Sequence, residues 1–131
     1  MRSPLAAVLL VVLAGGCDHA SGDGGRRERL IALIDTLPRL EAEQRAWPRA
    51  QSLACDERAA GRVREIAEIR AEIEETARDL PGRAELAPVF AACDELQGCA
   101  RCDDGFRARC SRTRELLVDV QLALAKAGLR Q

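Results

Sequence analysis

The stretch DERAAGRVREIAEIRAEIEETARDL, residues 56–80, decides the fold class. Val63, Ile66, Ile69, Ile73, Ala77 and Leu80 recur at steps of three and four, the spacing that lines one face of an α-helix. Arg64/Glu68 and Arg70/Glu74 lie four apart on the other face, a spacing worth only tenths of a kcal/mol per pair and one that otherwise marks solvent. Asp56 is placed to cap the segment, and Leu80-Pro81-Gly82 stops it.

The same period extends in both directions. Upstream, Leu30, Leu33, Ile34, Leu37 and Leu40 form a stripe, with Pro38 expected to kink or divide the segment and Trp47-Pro48 to end it. Downstream, Leu86, Val89, Phe90, Cys93 and Leu96 predict a third helix from about Pro88 to Gln97, stopped by Gly98. Phe106, Cys110, Thr113, Leu117, Val120 and Leu124 predict a fourth, capped by Asp104 and followed by Gly128. No stretch alternates with period two. The expectation is all-α: a small antiparallel helical bundle of three to four helices, stapled by disulfides, over residues 26–131.

Ahead of this domain, residues 1–16 carry one basic side chain, Arg2, and an uninterrupted apolar run from Leu5 to Leu13. The run suits a signal-peptide core and is well short of the roughly 20 residues of a spanning helix. Ala14-Gly15-Gly16-Cys17 then resembles the lipobox of bacterial lipoprotein precursors, with Ala14 where Leu is commonest. That resemblance implies cleavage before Cys17, a diacylglycerol on its sulfur and acylation of the new amino terminus. It implies membrane attachment through Cys17 in the cell envelope, facing the periplasm or exterior. Residues 17–25, with Ser21-Gly22-Asp23-Gly24-Gly25, read as a flexible tether.

Composition closes several routes. The chain has 20 basic and 21 acidic residues, and losing Arg2 with the leader leaves 19 against 21. That balance argues against nucleic acid. The single histidine, His19, falls in the tether, so the folded domain has no imidazole for a Ser-His-Asp or Cys-His centre or a His-containing zinc site. The aromatics are Trp47, Phe90 and Phe106 alone. No catalytic residue, cofactor or metal is expected, and no enzyme.

Five thiols remain if Cys17 carries lipid: Cys55, Cys93, Cys99, Cys102 and Cys110. Outside the cytoplasm, structural disulfides are the first reading. Counted from Gly98 and Asp104, Cys93 and Cys110 stand at nearly equal heights on facing apolar stripes, which predicts a Cys93–Cys110 bridge. Cys55 is then expected near Cys99 and Cys102, with one of those three unpaired. Two alternatives stay open. Cys99-Ala100-Arg101-Cys102 has the CxxC spacing of a redox dithiol, although Asp103 and Asp104 beside it work against a reactive thiolate. Cys93, Cys99, Cys102 and Cys110 also form a conceivable four-thiolate metal set. Arg101, Arg107, Arg109, Arg112 and Arg114 are expected to pair with Asp103, Asp104 and the acidic side of the second helix, more than to face anionic headgroups or an acidic partner.

These features predict a lipid-anchored helical protein with a binding or structural role in the envelope, with an envelope protein as possible partner. The alternatives are a thiol–disulfide redox protein using Cys99 and Cys102, or a small regulator or inhibitor of an envelope enzyme. An exposed apolar groove lined by Phe90, Phe106 or Trp47 would favour the last.

Overall fold

A computed structural model describes residues 22–48, 51–102 and 106–130, with side chains omitted at 22, 23 and 106–109. Four helices run in chain order: α1 (Gly22–Arg45), α2 (Leu53–Ala77), α3 (Ala87–Gly98) and α4 (Phe106–Lys126), with a short 3₁₀ turn at Arg83–Leu86 before α3. No strand occurs among the described residues. This is the disulfide-stapled helical bundle expected from the periodicity.

Pairs between elements fix the directions. Arg29 on α1 meets Glu72 on α2 at 2.8 Å, while Gln44 further along α1 meets Arg62, earlier on α2, so the two run antiparallel. Gln97 reaches the Val63 carbonyl and Arg70 lies 3.3 Å from Asp94, which reverses α3 against α2. Arg112–Glu95 and Arg114–Glu41 contacts run α4 antiparallel to both α3 and α1. The result is an up-down-up-down bundle closed by α4 against α1.

Inside, Leu30, Ile34, Leu37 and Leu40 of α1 are fully buried against Ile66 and Ile73 of α2, Leu96 of α3, and Val120 and Leu124 of α4. Each such side chain is worth about 1.5–3 kcal/mol on burial. That sum explains why α1 continues through Pro38, an exposed position, instead of dividing there. A mid-helix proline costs about 3 kcal/mol or more, and Leu37 and Leu40 on its two sides outweigh it together.

Three boundaries differ from the sequence expectation. α1 begins at Gly22, so Gly22–Gly25 extend the helix where a flexible tether was expected. α2 is capped by Ser52, not Asp56: the Ser52 hydroxyl accepts from the Cys55 amide at 3.0 Å, and Asp56 sits inside the first turn, where a carboxylate favours the helix dipole. Gly98 belongs to α3, and Cys99 follows as its C-cap. Asp104, expected to cap α4, lies outside the described residues.

Gly82 opens the 3₁₀ turn with φ +86°, and a Cβ there would lie 2.8 Å from the Ala127 carbonyl oxygen at the end of α4. Only glycine meets both the left-handed backbone and that close approach.

Candidate functional site

The chemistry-bearing side chains gather at one pole of the bundle, where α1 ends, α2 begins, α3 ends and α4 begins. Cys55, three residues into α2, is bonded to Cys102 in the loop after α3, with Cα atoms 6.1 Å apart. Cys99, the α3 cap, is bonded to Cys110 on α4, with Cα atoms 5.5 Å apart. Both separations fall in the normal disulfide range of about 4.4–6.8 Å. The four-residue stretch 99–102 is thus bolted to α4 by its first sulfur and to α2 by its last.

The expected Cys93–Cys110 bridge is therefore corrected to Cys99–Cys110, and Cys93 is the free thiol among the described residues. Two shifts in register produce the difference. α3 runs on through Gly98, and α4 starts at Phe106, one residue later than a cap at Asp104 implies. Cys110 therefore sits closer to the loop than counted. Cys93 stands six residues up α3 from Cys99, about 9 Å of helical rise, too far for Cys110 to serve both. The expected approach of Cys55 to the CxxC loop is met, by its bond to Cys102, but none of Cys55, Cys99 and Cys102 is left unpaired as expected, because Cys99 takes Cys110.

Cys93 is fully buried. Burial pushes its thiol up to about 11; nearby Arg70 pulls it down and Asp94 pushes it up, but desolvation dominates. As thiolate is the reactive form, Cys93 is a poor nucleophile at neutral pH. Cys99 and Cys102 are also buried, and each is paired with a partner outside the CxxC. With Cys99, Cys102 and Cys110 in disulfides, the four-thiolate set does not form. Among the described residues no other group of three or more His, Cys, Asp or Glu is placed to hold a metal ion.

Beside the disulfides lies a polar clasp that the sequence reading did not single out. Gln44 is completely buried; its Nε2 donates to the Leu96 carbonyl at 3.1 Å and reaches Cys99 Sγ at 3.5 Å. Its Oε1 accepts from Arg62 Nη1 at 3.2 Å. Arg62 also donates to the Leu40 carbonyl and pairs with Glu43 and Glu65, while its guanidinium stacks 5.2 Å from the Trp47 ring centre. A buried amide with both ends satisfied locks α1 to α3 and α2 without an orphaned polar atom. One signal was legible: Gln44 lies four residues past Leu40 and seven past Leu37, on the buried stripe of α1.

Two of the five arginines find other partners than expected. Arg112 pairs with Glu95 on α3 at 3.4 Å, and Arg114 approaches Glu41 on α1 at 3.8 Å, so the acids of α1 and α3, not α2, receive them. Glu41 itself is buried and held by Arg45 at 3.1 Å. Arg101 is exposed; the side chains of Arg107 and Arg109, with Asp103 and Asp104, lie outside the described residues.

Of the three aromatics, Trp47 is covered by Arg58 and Arg62, and the Phe106 side chain lies outside the described residues. Phe90 lines an open groove of about 480 Å³ between α2 and α3, with Ala87 and Ala91 as its apolar floor and Arg70, Glu74, Arg83 and Asp94 around it. Arg70 leans over the Phe90 ring at 5.0 Å. The groove is apolar in the middle and charged with both signs at the rim.

No family model, curated protein or solved structure matches this chain. Among the described residues, no helix is long and apolar enough to cross a membrane. Cys17 lies outside the described residues.

Proposed function

We propose that this chain is a lipid-anchored helical protein of the bacterial cell envelope, attached through Cys17, facing the periplasm or exterior, and acting by binding or as a structural component. The observation that carries the reading is the pair of disulfides, Cys55–Cys102 and Cys99–Cys110, in a chain whose first cysteine, Cys17, stands directly behind a signal-like apolar run. Disulfides persist in oxidising compartments, so the bridged domain and the lipobox-like segment point to the same side of the membrane. Since α1 starts at Gly22, only residues 18–21 separate Cys17 from the first helical residue, a reach of about 17 Å at most. The start of α1 is then the membrane-proximal pole. The disulfide pole, with Gln44, Arg62 and Trp47, lies one helix length away, about 36 Å for 24 residues.

Two other readings compete with this one. The Phe90 groove favours a regulator or inhibitor that takes a partner's apolar side chain between Arg70 and Arg83. The thiol–disulfide reading has less support: Cys99 and Cys102 are buried and committed to separate partners, whereas a redox dithiol must pair with itself and offer one sulfur to solvent.

Mass spectrometry of the mature amino-terminal peptide tests the anchor: a diacylglyceryl Cys17 is expected, and an unmodified Cys17 or a cut elsewhere removes the proposal. Cys17→Ser is expected to release the protein from membranes or leave it as precursor, since lasting attachment needs about two acyl chains or an equivalent second signal.

A further inference from the structure

The two disulfides cross in sequence. Their cysteines occur in the order Cys55, Cys99, Cys102, Cys110, and the pairs are first with third and second with fourth, with the unpaired Cys93 lying between Cys55 and Cys99. Neither native bond joins cysteines that follow one another along the chain.

Loop closure in the unfolded chain favours other pairs. Cys93 and Cys99 are six residues apart and Cys102 and Cys110 are eight apart, against 47 for Cys55 and Cys102. With closure probability falling as about the three-halves power of loop length, each short pair forms roughly ten to twenty times more often than Cys55–Cys102 and about twice as often as Cys99–Cys110, whose cysteines are 11 residues apart. These two short pairs are mutually compatible. Together they consume Cys99, Cys102 and Cys110 in non-native bonds and strand Cys55.

We propose that the chain reaches its native pairing by rearrangement and is therefore a client of a thiol–disulfide isomerase. The chemistry balances. Oxidation of four thiols to two disulfides passes four electrons and four protons to a disulfide-bearing oxidant, reduced to two dithiols. An isomerase thiolate then attacks Cys102 Sγ of Cys102–Cys110, forming a mixed disulfide and releasing Cys110 as thiolate. Cys55 thiolate displaces the isomerase from Cys102. A second exchange opens Cys93–Cys99 at Cys99 Sγ, frees Cys93, and lets Cys110 displace the isomerase to give Cys99–Cys110. No electrons are gained or lost in either exchange, and the thiol left over is Cys93, the one the fold leaves unpaired. Folding drives the exchanges: Cys93 closes into the core beside Val89 and Leu96, and both native bonds end up buried. This inference rests on connectivity and is independent of the lipid on Cys17.

The test refolds the reduced chain, with Cys17→Ser to remove the thiol outside the domain, in diamide, an oxidant whose reduced form is not a thiol. Protein disulfide isomerase in a glutathione buffer is then added, and peptides are mapped without reduction. The expected result is a majority of Cys93–Cys99 and Cys102–Cys110 in diamide alone, with conversion to Cys55–Cys102 and Cys99–Cys110 accelerated about tenfold or more by the isomerase over the buffer. Native pairing as the main product of diamide alone overturns the proposal. So does a non-native mixture that the isomerase leaves unchanged.

Discussion

The two poles of this bundle are held together by different physics. At the end where α1 finishes, two disulfides and the buried Gln44–Arg62 clasp join all four helices. At the other end, where α1 begins, there is no disulfide among the described residues. That end relies on buried apolar side chains such as Leu30, Ala77, Leu80 and Leu86, on the close seating of Gly82 on Ala127 and on ion pairs such as Arg26–Asp79 and Arg130–Asp35, whose side chains are largely exposed. Exposed pairs of this kind contribute about 0–1 kcal/mol each. The cysteine pole is therefore expected to unfold last and the Gly82 pole to fray first, with backbone amide exchange fastest around residues 78–84.

The largest perturbation should come from the longest covalent loop. Replacing Cys55 and Cys102 by Ala opens a 47-residue closure, expected to cost about 4 kcal/mol, against about 3 kcal/mol for the 11-residue Cys99–Cys110 loop. Denaturant titrations of the two double variants should preserve that order. Equal losses, or a larger one for Cys99–Cys110, would remove the ranking. On the other pole, Gly82→Ala is expected to cost about 3 kcal/mol, because a Cβ must bear a positive φ and displace backbone atoms of Ala127. A loss under about 1 kcal/mol would mean that this pole gives way easily.

Cys93 sharpens the comparison from inside the core between the poles. Its thiol is raised from an ordinary 9.0 to about 11, so the folded state holds the proton more tightly than the unfolded state. That contribution is fully present below pH 9 and is lost as pH rises through 11, a fall of about 2–3 kcal/mol. Stability measured at pH 8 and again near 11 should drop more in the wild type than in Cys93→Ala. Parallel curves would show that the thiol is not desolvated as its position requires. Iodoacetamide at pH 8 should label Cys93 only after unfolding.

The smallest expected effect belongs to the clasp. Arg62→Met removes the guanidinium that lies over Trp47 together with the donor to Gln44 Oε1 and the Leu40 carbonyl. A loss of about 1–2 kcal/mol is expected, since water can reach only part of the vacated site. Slower amide exchange at the cysteine pole in this variant would contradict a locking role.

Much of this was legible in the chain. The stripes from Leu30, Ile66, Val89 and Val120 fixed four helices and most of their buried faces, because periodicity records which side of a helix meets apolar neighbours; Val63, expected on the α2 stripe, is exposed. Two failures lie where local helix propensity is poor. Pro38 is a poor helix former by local propensity, yet the helix runs through it where buried Leu37 and Leu40 outweigh the local cost, and Gly22–Gly25 are helical with no packed neighbour that explains it. Sequence by itself determined the fold class, the buried stripes, the glycine at the reversal after α2 and the number of thiols available for pairing. Only the tertiary structure decided which sulfurs meet and that Gln44 is a core residue. The reason is geometric: one residue of change in a helix boundary turns a side chain by about 100° and lifts it about 1.5 Å, so disulfide choice depends on boundaries that local signals leave loose by a residue or two.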